Sequence, residues 1–87
     1  MNTVVKLAEE NGWLYYHTYL SKKYPKGFPD LVLVKPPHRV IFAELKMPYG
    51  ELTDDQKKWR RALRFCPGVR YFLWRPKDWN AIHKTLT

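Results

Sequence analysis

The chain has 87 residues, of which 16 are basic and 8 acidic, giving a formal net charge of +8, and 45% of the residues are hydrophobic. This size and composition predict one folded domain over residues 1–87 rather than a disordered chain, and no apolar run approaches the roughly 18 residues that a membrane span needs. The N-terminus lacks the apolar core of a secretory signal and the single cysteine excludes an intramolecular disulfide, so we expect a cytoplasmic protein without a membrane partner.

The first predicted elements are a short helix and a strand. Asn2 and Thr3 can cap a helix that ends at Asn11-Gly12. Residues 13–20 alternate in the way that is typical of a strand, with His17 on the same face as three aromatic side chains. A histidine in that setting is more often packed than catalytic, so a functional role for His17 is the less favoured alternative.

A hairpin is predicted next. Residues 30–35 and 39–46 are rich in β-formers, and the three residues between them are too few for a helical crossover. Period-two alternation places Glu44 and Lys46 on one face with Val40 and Phe42. Asp30 opens the partner strand, so two carboxylates and an ammonium can converge although they are distant in sequence.

The second half of the chain predicts a helix, a strand and a closing helix. Thr53 and Gln56 have the spacing of a capping box, Pro67-Gly68 ends that helix, and a strand follows over residues 69–74. The closing helix begins at Pro76. The predicted order is α-β-β-β-α-β-α, a mixed sheet flanked by helices. The apolar stripe of the middle helix contains Leu52, Gln56, Trp59, Leu63 and Cys66.

Tryptophan side chains recur on the apolar faces of these elements. Trp59 lies in the stripe of the middle helix, Trp74 in the last strand, and Trp79 in the closing helix with Ile82 and Leu86. We interpret the three indoles as packing residues rather than base-stacking platforms.

Two groups of basic residues are candidates for contact with a phosphate backbone. The whole positive excess lies in residues 57–87, which carry nine basic residues and one acidic residue. A solvated helix face, or solvated loop charge, is the alternative in each case. The candidates are Lys22, Lys23 and Lys26 in the loop before Asp30, and Lys57, Lys58, Arg60, Arg61 and Arg64 in the middle helix.

The hairpin carries the residues of a hydrolytic metal site. Mg²⁺ prefers hard oxygen ligands and retains water, which suits Asp30 and Glu44 together with a scissile phosphate. Lys46 would then position the water or stabilise the transition state. The alternative is that Glu44 and Lys46 form a solvated pair and that Asp30 is a turn residue. The apolar neighbours on their face favour the metal site, because a charge at the edge of a buried surface costs free energy.

Four segments of the chain resemble the VRR-NUC (virus-type replication-repair nuclease) branch of the PD-(D/E)XK nucleases. Their order and spacing agree with those of the family, and the resemblance spans residues 12–86. The chain is similar to the compact stand-alone members of the family that are found in bacteriophages. It implies a restriction-endonuclease-like core. The segments are Gly27-Phe28-Pro29-Asp30-Leu31-Val32-Leu33-Val34, Phe42-Ala43-Glu44-Leu45-Lys46, Leu52-Thr53-Asp54-Asp55-Gln56-Lys57-Lys58-Trp59 and Trp74-Arg75-Pro76-Lys77-Asp78-Trp79.

The resemblance also implies roles for individual residues. Asp30 and Glu44 would bind the metal with the main-chain carbonyl of Leu45, and Lys46 would be the catalytic lysine. Gln56 corresponds to the glutamine of the helix that follows, which competes with its interpretation as a cap. Relatives carry an acidic residue in the first helix, which we expect further upstream of Gly12 than this short N-terminus extends. Glu9 and Glu10 are imperfect substitutes for it, which permits a one-metal mechanism.

The function implied is Mg²⁺- or Mn²⁺-dependent cleavage of DNA phosphodiester bonds, with no small-molecule substrate. Stand-alone members resemble Holliday-junction resolvases, and two symmetric cuts in a four-way junction call for a homodimer. The alternatives are a flap or nicking endonuclease with the same active site, a catalytically inactive DNA-binding module, and an RNA-directed enzyme.

Overall fold

A computed structural model describes residues 2–18 and 25–87. The order of the elements confirms the predicted α-β-β-β-α-β-α arrangement. None of the helices in these two ranges is long and apolar enough to cross a membrane. The helices are α1 (Asn2–Glu10), α2 (Asp54–Arg64) and α3 (Trp79–Leu86), and the strands are β1 (Leu14–His17), β2 (Leu31–Lys35), β3 (Arg39–Leu45) and β4 (Arg70–Trp74).

The strands form a mixed four-stranded sheet in the order β1-β2-β3-β4. β2 pairs antiparallel with both β1 and β3, which confirms the predicted hairpin. β4 pairs parallel with β3, because the intervening α2 returns the chain to the same end of the sheet. Ile41 lies beside Arg70 and Leu45 beside Trp74 in this parallel pair, so the carboxyl ends of β3 and β4 meet at one edge.

The larger apolar layer lies on one face of the sheet, under α1 and α3. Alternate sheet residues point into it, as the period of two requires, and the Trp13 indole donates a hydrogen bond of 2.9 Å to the Leu86 carbonyl within it. Its buried members are Val4, Val5, Ala8, Trp13, Leu31, Leu33, Ile41, Ala43, Trp74, Ile82 and Leu86.

The opposite face of the sheet carries Phe42 and Glu44 and packs against α2. Phe28, in the segment before β2, joins the two layers because its ring makes edge contacts with Phe42 at 5.9 Å and with Trp59 of α2 at 4.8 Å. Gly27 allows this approach. It has a φ of +83°, and a Cβ at its position would lie 2.5 Å from the backbone of Asp55.

Two packing predictions were wrong. Cys66 is exposed, because α2 ends at Arg64 and the chain leaves the helical path before reaching it. Trp79 is 38% exposed rather than in the core, because it begins α3 at the rim of a surface cleft while Ile82 and Leu86 face inward. The first strand is also shorter than predicted, since it ends at His17. Tyr19 and Leu20 lie outside the described residues.

Candidate active site

The two carboxylates of the hairpin meet at the carboxyl end of β3. Leu31 of β2 pairs with Ala43 of β3. Because the strands are antiparallel, the residue before Leu31, Asp30, lies opposite the residue after Ala43, Glu44, on the same face. The Leu45 N–H donates a hydrogen bond of 2.8 Å to Oδ2 of Asp30, which fixes that carboxylate at the end of the antiparallel ladder. The antiparallel register therefore brings together the two carboxylates that the sequence pattern predicted to converge.

Glu44 is almost completely buried, with 2% of its surface exposed. Burial and the neighbouring charge of Asp30 raise the pKa of Glu44 to about 8, and the Lys46 ammonium acts in the opposite direction. Lys46 Nζ lies 4.0 Å from Oε2 of Glu44, and its side chain is 19% exposed. The other carboxylate oxygen, Oε1, is buried and has no hydrogen-bond partner among residues 2–18 and 25–87. Such an oxygen is costly unless a cation or a proton occupies it.

Gln56 combines the two roles that the sequence presented as alternatives. Its Oε1 accepts a hydrogen bond of 2.8 Å from the Thr53 N–H, which completes the capping box of α2. Its Nε2 donates a hydrogen bond of 2.8 Å to Oε2 of Glu44. One amide side chain therefore begins the helix and connects that helix to the buried carboxylate.

These groups fit a divalent cation of the hard, oxygen-binding type. The unpartnered Oε1 of Glu44 and the facing Asp30 carboxylate supply two anionic donors. In an extended strand the N–H and C=O of one residue point to the same neighbour, so the Leu45 carbonyl shares the edge on which its N–H meets Asp30. Across residues 2–18 and 25–87 no three His, Cys, Asp or Glu side chains cluster in a way that could hold a metal.

Residues 3–76 match the VRR-NUC domain. The chain belongs to the VRR-NUC family. It is therefore a nuclease of the PD-(D/E)XK type, and the four-stranded mixed sheet with its helices is consistent with that fold. Nucleases of this type generally use divalent metals, and a nuclease implies DNA as a partner. Comparisons with curated proteins and with solved structures found no match.

In this VRR-NUC chain, the structure places near the carboxylates a tyrosine that the sequence analysis did not single out. Tyr71 of β4 lies beside Phe42, and Leu73 beside Glu44, so both β4 side chains lie on the face that carries Glu44. Burial raises the pKa of Tyr71 to about 12, helped by the charges of Glu44 and Asp30 and opposed by Arg60. The alternation in β4 could have indicated this face only if the parallel pairing with β3 had been known.

Arg75 holds the loop that follows Lys46 and was also not singled out by sequence. Its Nη1 donates hydrogen bonds of 2.8 Å to the Met47 carbonyl and 2.6 Å to the Gly50 carbonyl. The Lys46 N–H in turn donates to the Trp74 carbonyl at 3.0 Å. The ends of β3 and β4 are thus tied together on both sides of the lysine.

The basic residues predicted to contact DNA lie in different surroundings in the structure. Lys26 lies 3.6 Å from the Asp55 carboxylate, so part of its charge is already engaged at the surface, and Lys22 and Lys23 lie outside the described residues. Lys58 is exposed on α2. The remaining four basic residues of α2 line one surface groove of about 480 Å³ together with Phe65, namely Lys57, Arg60, Arg61 and Arg64.

The three remaining candidates lie apart from the carboxylate pair. His17 faces Leu31 across β1 and β2, which places it on the opposite face of the sheet from Glu44. Its ring packs against Tyr15 at 5.3 Å. Glu9 and Glu10 are exposed in the last turn of α1. The charges that shift the pKa of Glu44 are those of Asp30 and Lys46.

Proposed function

We propose that this VRR-NUC chain is a divalent-cation-dependent endonuclease that cuts branched DNA as a homodimer, with the four-way junction as its substrate. The observation that carries the catalytic part is the buried Glu44 carboxylate beside Asp30, whose Oε1 has no hydrogen-bond partner in the part of the chain that the structure describes. The cation would be Mg²⁺ or Mn²⁺, held by Asp30, Glu44 and the carbonyl of Leu45. As in phage-type relatives, the setting would be the cytoplasm of a bacterial or phage-infected cell.

Each residue of the site would have a separate role in phosphodiester hydrolysis. A bound cation supplies a water of lowered pKa and neutralises charge that develops on the scissile phosphate. Lys46 is held next to Glu44 yet partly exposed, so its ammonium can reach a phosphate oxygen or the attacking water. Gln56 fixes one oxygen of Glu44 and leaves the other for the cation. The Leu45 N–H orients Asp30 in the same way.

The test is cleavage of an immobile four-way junction beside linear duplex, flap and single-stranded DNA, and beside a junction made of RNA. Each substrate is incubated with Mg²⁺, with Mn²⁺ and with chelator. We expect paired symmetric nicks in the DNA junction that chelator abolishes. Lys46→Ala should abolish turnover with little loss of affinity, whereas Lys84→Ala, at an exposed position of α3, should cut at the wild-type rate.

Other outcomes of this test would contradict particular parts of the proposal. Cleavage of flaps or single strands in place of junctions would identify a flap or nicking endonuclease. Preference for the RNA junction would identify an RNA-directed enzyme. Binding without cleavage under any condition would identify an inactive DNA-binding module.

The homodimer part of the proposal is supported by β1. Within the described chain, β1 has one hydrogen-bonded neighbour, β2, so its other edge presents unpaired backbone groups. Soluble proteins usually protect such edges with charge or proline, but β1 reads Leu-Tyr-Tyr-His, and Leu14 and Tyr16 are 71% and 54% exposed. An uncharged edge does not suit polyanionic DNA. It suits a second copy, because antiparallel pairing of two β1 strands is two-fold symmetric.

A further inference from the structure

A shallow cavity separates α2 from β4 next to the carboxylates. It has a volume of about 210 Å³ and is lined by Arg60 and Arg64 of α2 and by Tyr71, Phe72 and Leu73 of β4. Tyr71 and Leu73 project from the sheet face that carries Glu44. The cavity therefore adjoins the reaction centre without containing any of the residues that would hold the cation.

Among the described residues, the two arginines of this cavity have no anionic partner. The ion pairs in the described part of the chain are Lys26 with Asp55 and Lys46 with Glu44, so neither Arg60 nor Arg64 has a carboxylate within reach there. They are four residues apart on one helix face, where like charges repel. An anion between the two guanidinium groups would relieve that repulsion.

The Tyr71 hydroxyl completes the set of donors. A tyrosine hydroxyl is protonated at physiological pH, and burial raises the pKa of Tyr71 further, to about 12. The structure records no hydrogen bond from this hydroxyl within residues 2–18 and 25–87. The charges of Glu44 and Asp30 raise the pKa of Tyr71, and the charge of Arg60 lowers it. Tyr71 thus lines the cavity together with both arginines and projects from the sheet face that carries Glu44.

We propose that Arg60, Arg64 and Tyr71 bind a phosphate of the nucleic-acid backbone that neighbours the scissile phosphate, and that they position the strand on the carboxylates. Arginine presents a planar fork of donors that matches phosphate oxygens, and a neutral hydroxyl adds a third donor. The inference rests on the proposed function, because it takes the carboxylate pair as the site of cleavage.

The path of the strand beyond this phosphate follows from α2. Arg60 and Arg64 also line the larger groove of about 480 Å³, which continues along the helix to Lys57, Arg61 and the exposed Phe65. A series of backbone phosphates fits a basic track of that kind, whereas an isolated small anion would need the inner cavity alone. The track therefore favours a polynucleotide as the occupant.

The test is a scan of the DNA backbone with single uncharged methylphosphonate linkages. Four-way junctions that carry one such linkage at successive positions are bound in chelator, and affinity is measured by fluorescence anisotropy. We expect a neutral linkage next to the cut position to weaken binding of the wild-type protein by about tenfold. Tyr71→Phe and Arg64→Gln should bind natural DNA more weakly and show no further loss at that linkage.

The matched control is Lys58→Gln, which removes a positive charge from the same helix at a position that does not line the cavity. It should retain the full penalty at the same linkage. The proposal is overturned if the penalty persists in Tyr71→Phe and Arg64→Gln, or if Lys58→Gln removes it equally.

Binding in chelator does not require turnover, so this result is separate from that of the cleavage experiment. If natural junctions remain uncut with Mg²⁺ and Mn²⁺, the proposed function fails. The scan still decides whether the three residues hold a backbone phosphate, since coupling between one linkage and one side chain is measured by binding alone.

Discussion

At the scale of single residues, the ionised form of Glu44 carries an electrostatic cost, because the carboxyl group is buried beside Asp30. A carboxyl group whose pKa is about 8 in the folded protein and 4.5 in its ordinary state is destabilising whenever it is forced to ionise. Its contribution to stability is fully present below pH 4.5 and is lost as the pH rises through 8. This cost is the physical reason for expecting a cation at the site, because a cation would offset it.

We therefore predict that Glu44→Gln stabilises the protein at pH 8 in chelator. The neutral amide fills the same space and has no ionised form, so the free energy of unfolding should exceed that of the wild type by a few kcal/mol, since one pKa unit corresponds to ~1.4 kcal/mol. At pH 4 the two proteins should be similar. Urea denaturation at both pH values measures the difference, with Glu51→Gln at an exposed site as control. A variant that is equally stable at pH 8 would contradict the burial argument.

The dual role of Gln56 predicts that its two functions can be separated by substitution. Gln56→Glu retains an acceptor for the Thr53 N–H but replaces the donor to Glu44 with a second carboxylate. We expect the cap of α2 to persist while kcat falls by at least ~10-fold, because charge repulsion displaces Glu44. Thermal unfolding in chelator and the cleavage rate measure the two effects.

Thr53→Ala is the complementary variant to Gln56→Glu. It removes the hydroxyl that caps the Gln56 N–H and leaves the Gln56 donor to Glu44 in place. A cost of about 1 kcal/mol in stability is expected, with kcat close to the wild-type value. If Thr53→Ala lowered kcat as much as Gln56→Glu does, helix capping alone would account for the role of Gln56.

At the scale of elements, the segment before β2 reaches its position only because it contains Gly27. We predict that Gly27→Ala lowers the free energy of unfolding by roughly 3 kcal/mol, since the new methyl group would overlap Asp55 and the residue also has positive φ. Gly68→Ala is the matched control. Its φ of +87° is similar, but nothing lies within 4 Å of the new Cβ, so its cost should be about 1 kcal/mol. Urea denaturation distinguishes them, and equal costs would exclude the close approach.

At the scale of the whole molecule, the exposed edge of β1 determines the expected assembly. Tyr16→Lys places a charge on that edge, and we expect it to convert a dimer into a monomer, because two symmetry-related lysines would repel each other across the interface. Tyr49→Lys makes the same substitution at a loop position that is 96% exposed, and it should remain dimeric. Light scattering measures both variants. A wild-type monomer at working concentrations would remove the dimeric resolvase from the proposal and leave the nuclease.

The sequence by itself determined the order of the elements, the antiparallel hairpin and the capping box at Thr53. These features depend on local periodicity, turn residues and cap residues, which act over a few positions of the chain. Because the hairpin register follows from the same alternation, the sequence also indicated that Asp30 and Glu44 converge. The packing of Cys66 and Trp79 was predicted incorrectly, since helical periodicity does not reveal where a helix ends or which part of it overhangs the sheet.

Only the tertiary structure decided how the elements combine into a site. The parallel pairing of β3 with β4 brings Tyr71 to the face of Glu44. The packing of α2 gives Gln56 its second partner, and Oε1 of Glu44 has no hydrogen-bond partner within the described ranges. The tertiary structure also forms the ion pair between Lys26 and Asp55. These contacts join residues that are distant in sequence, and their formation depends on the burial of side chains between layers. Local sequence patterns do not determine which side chains are buried between layers, so these contacts could be identified only from the folded chain.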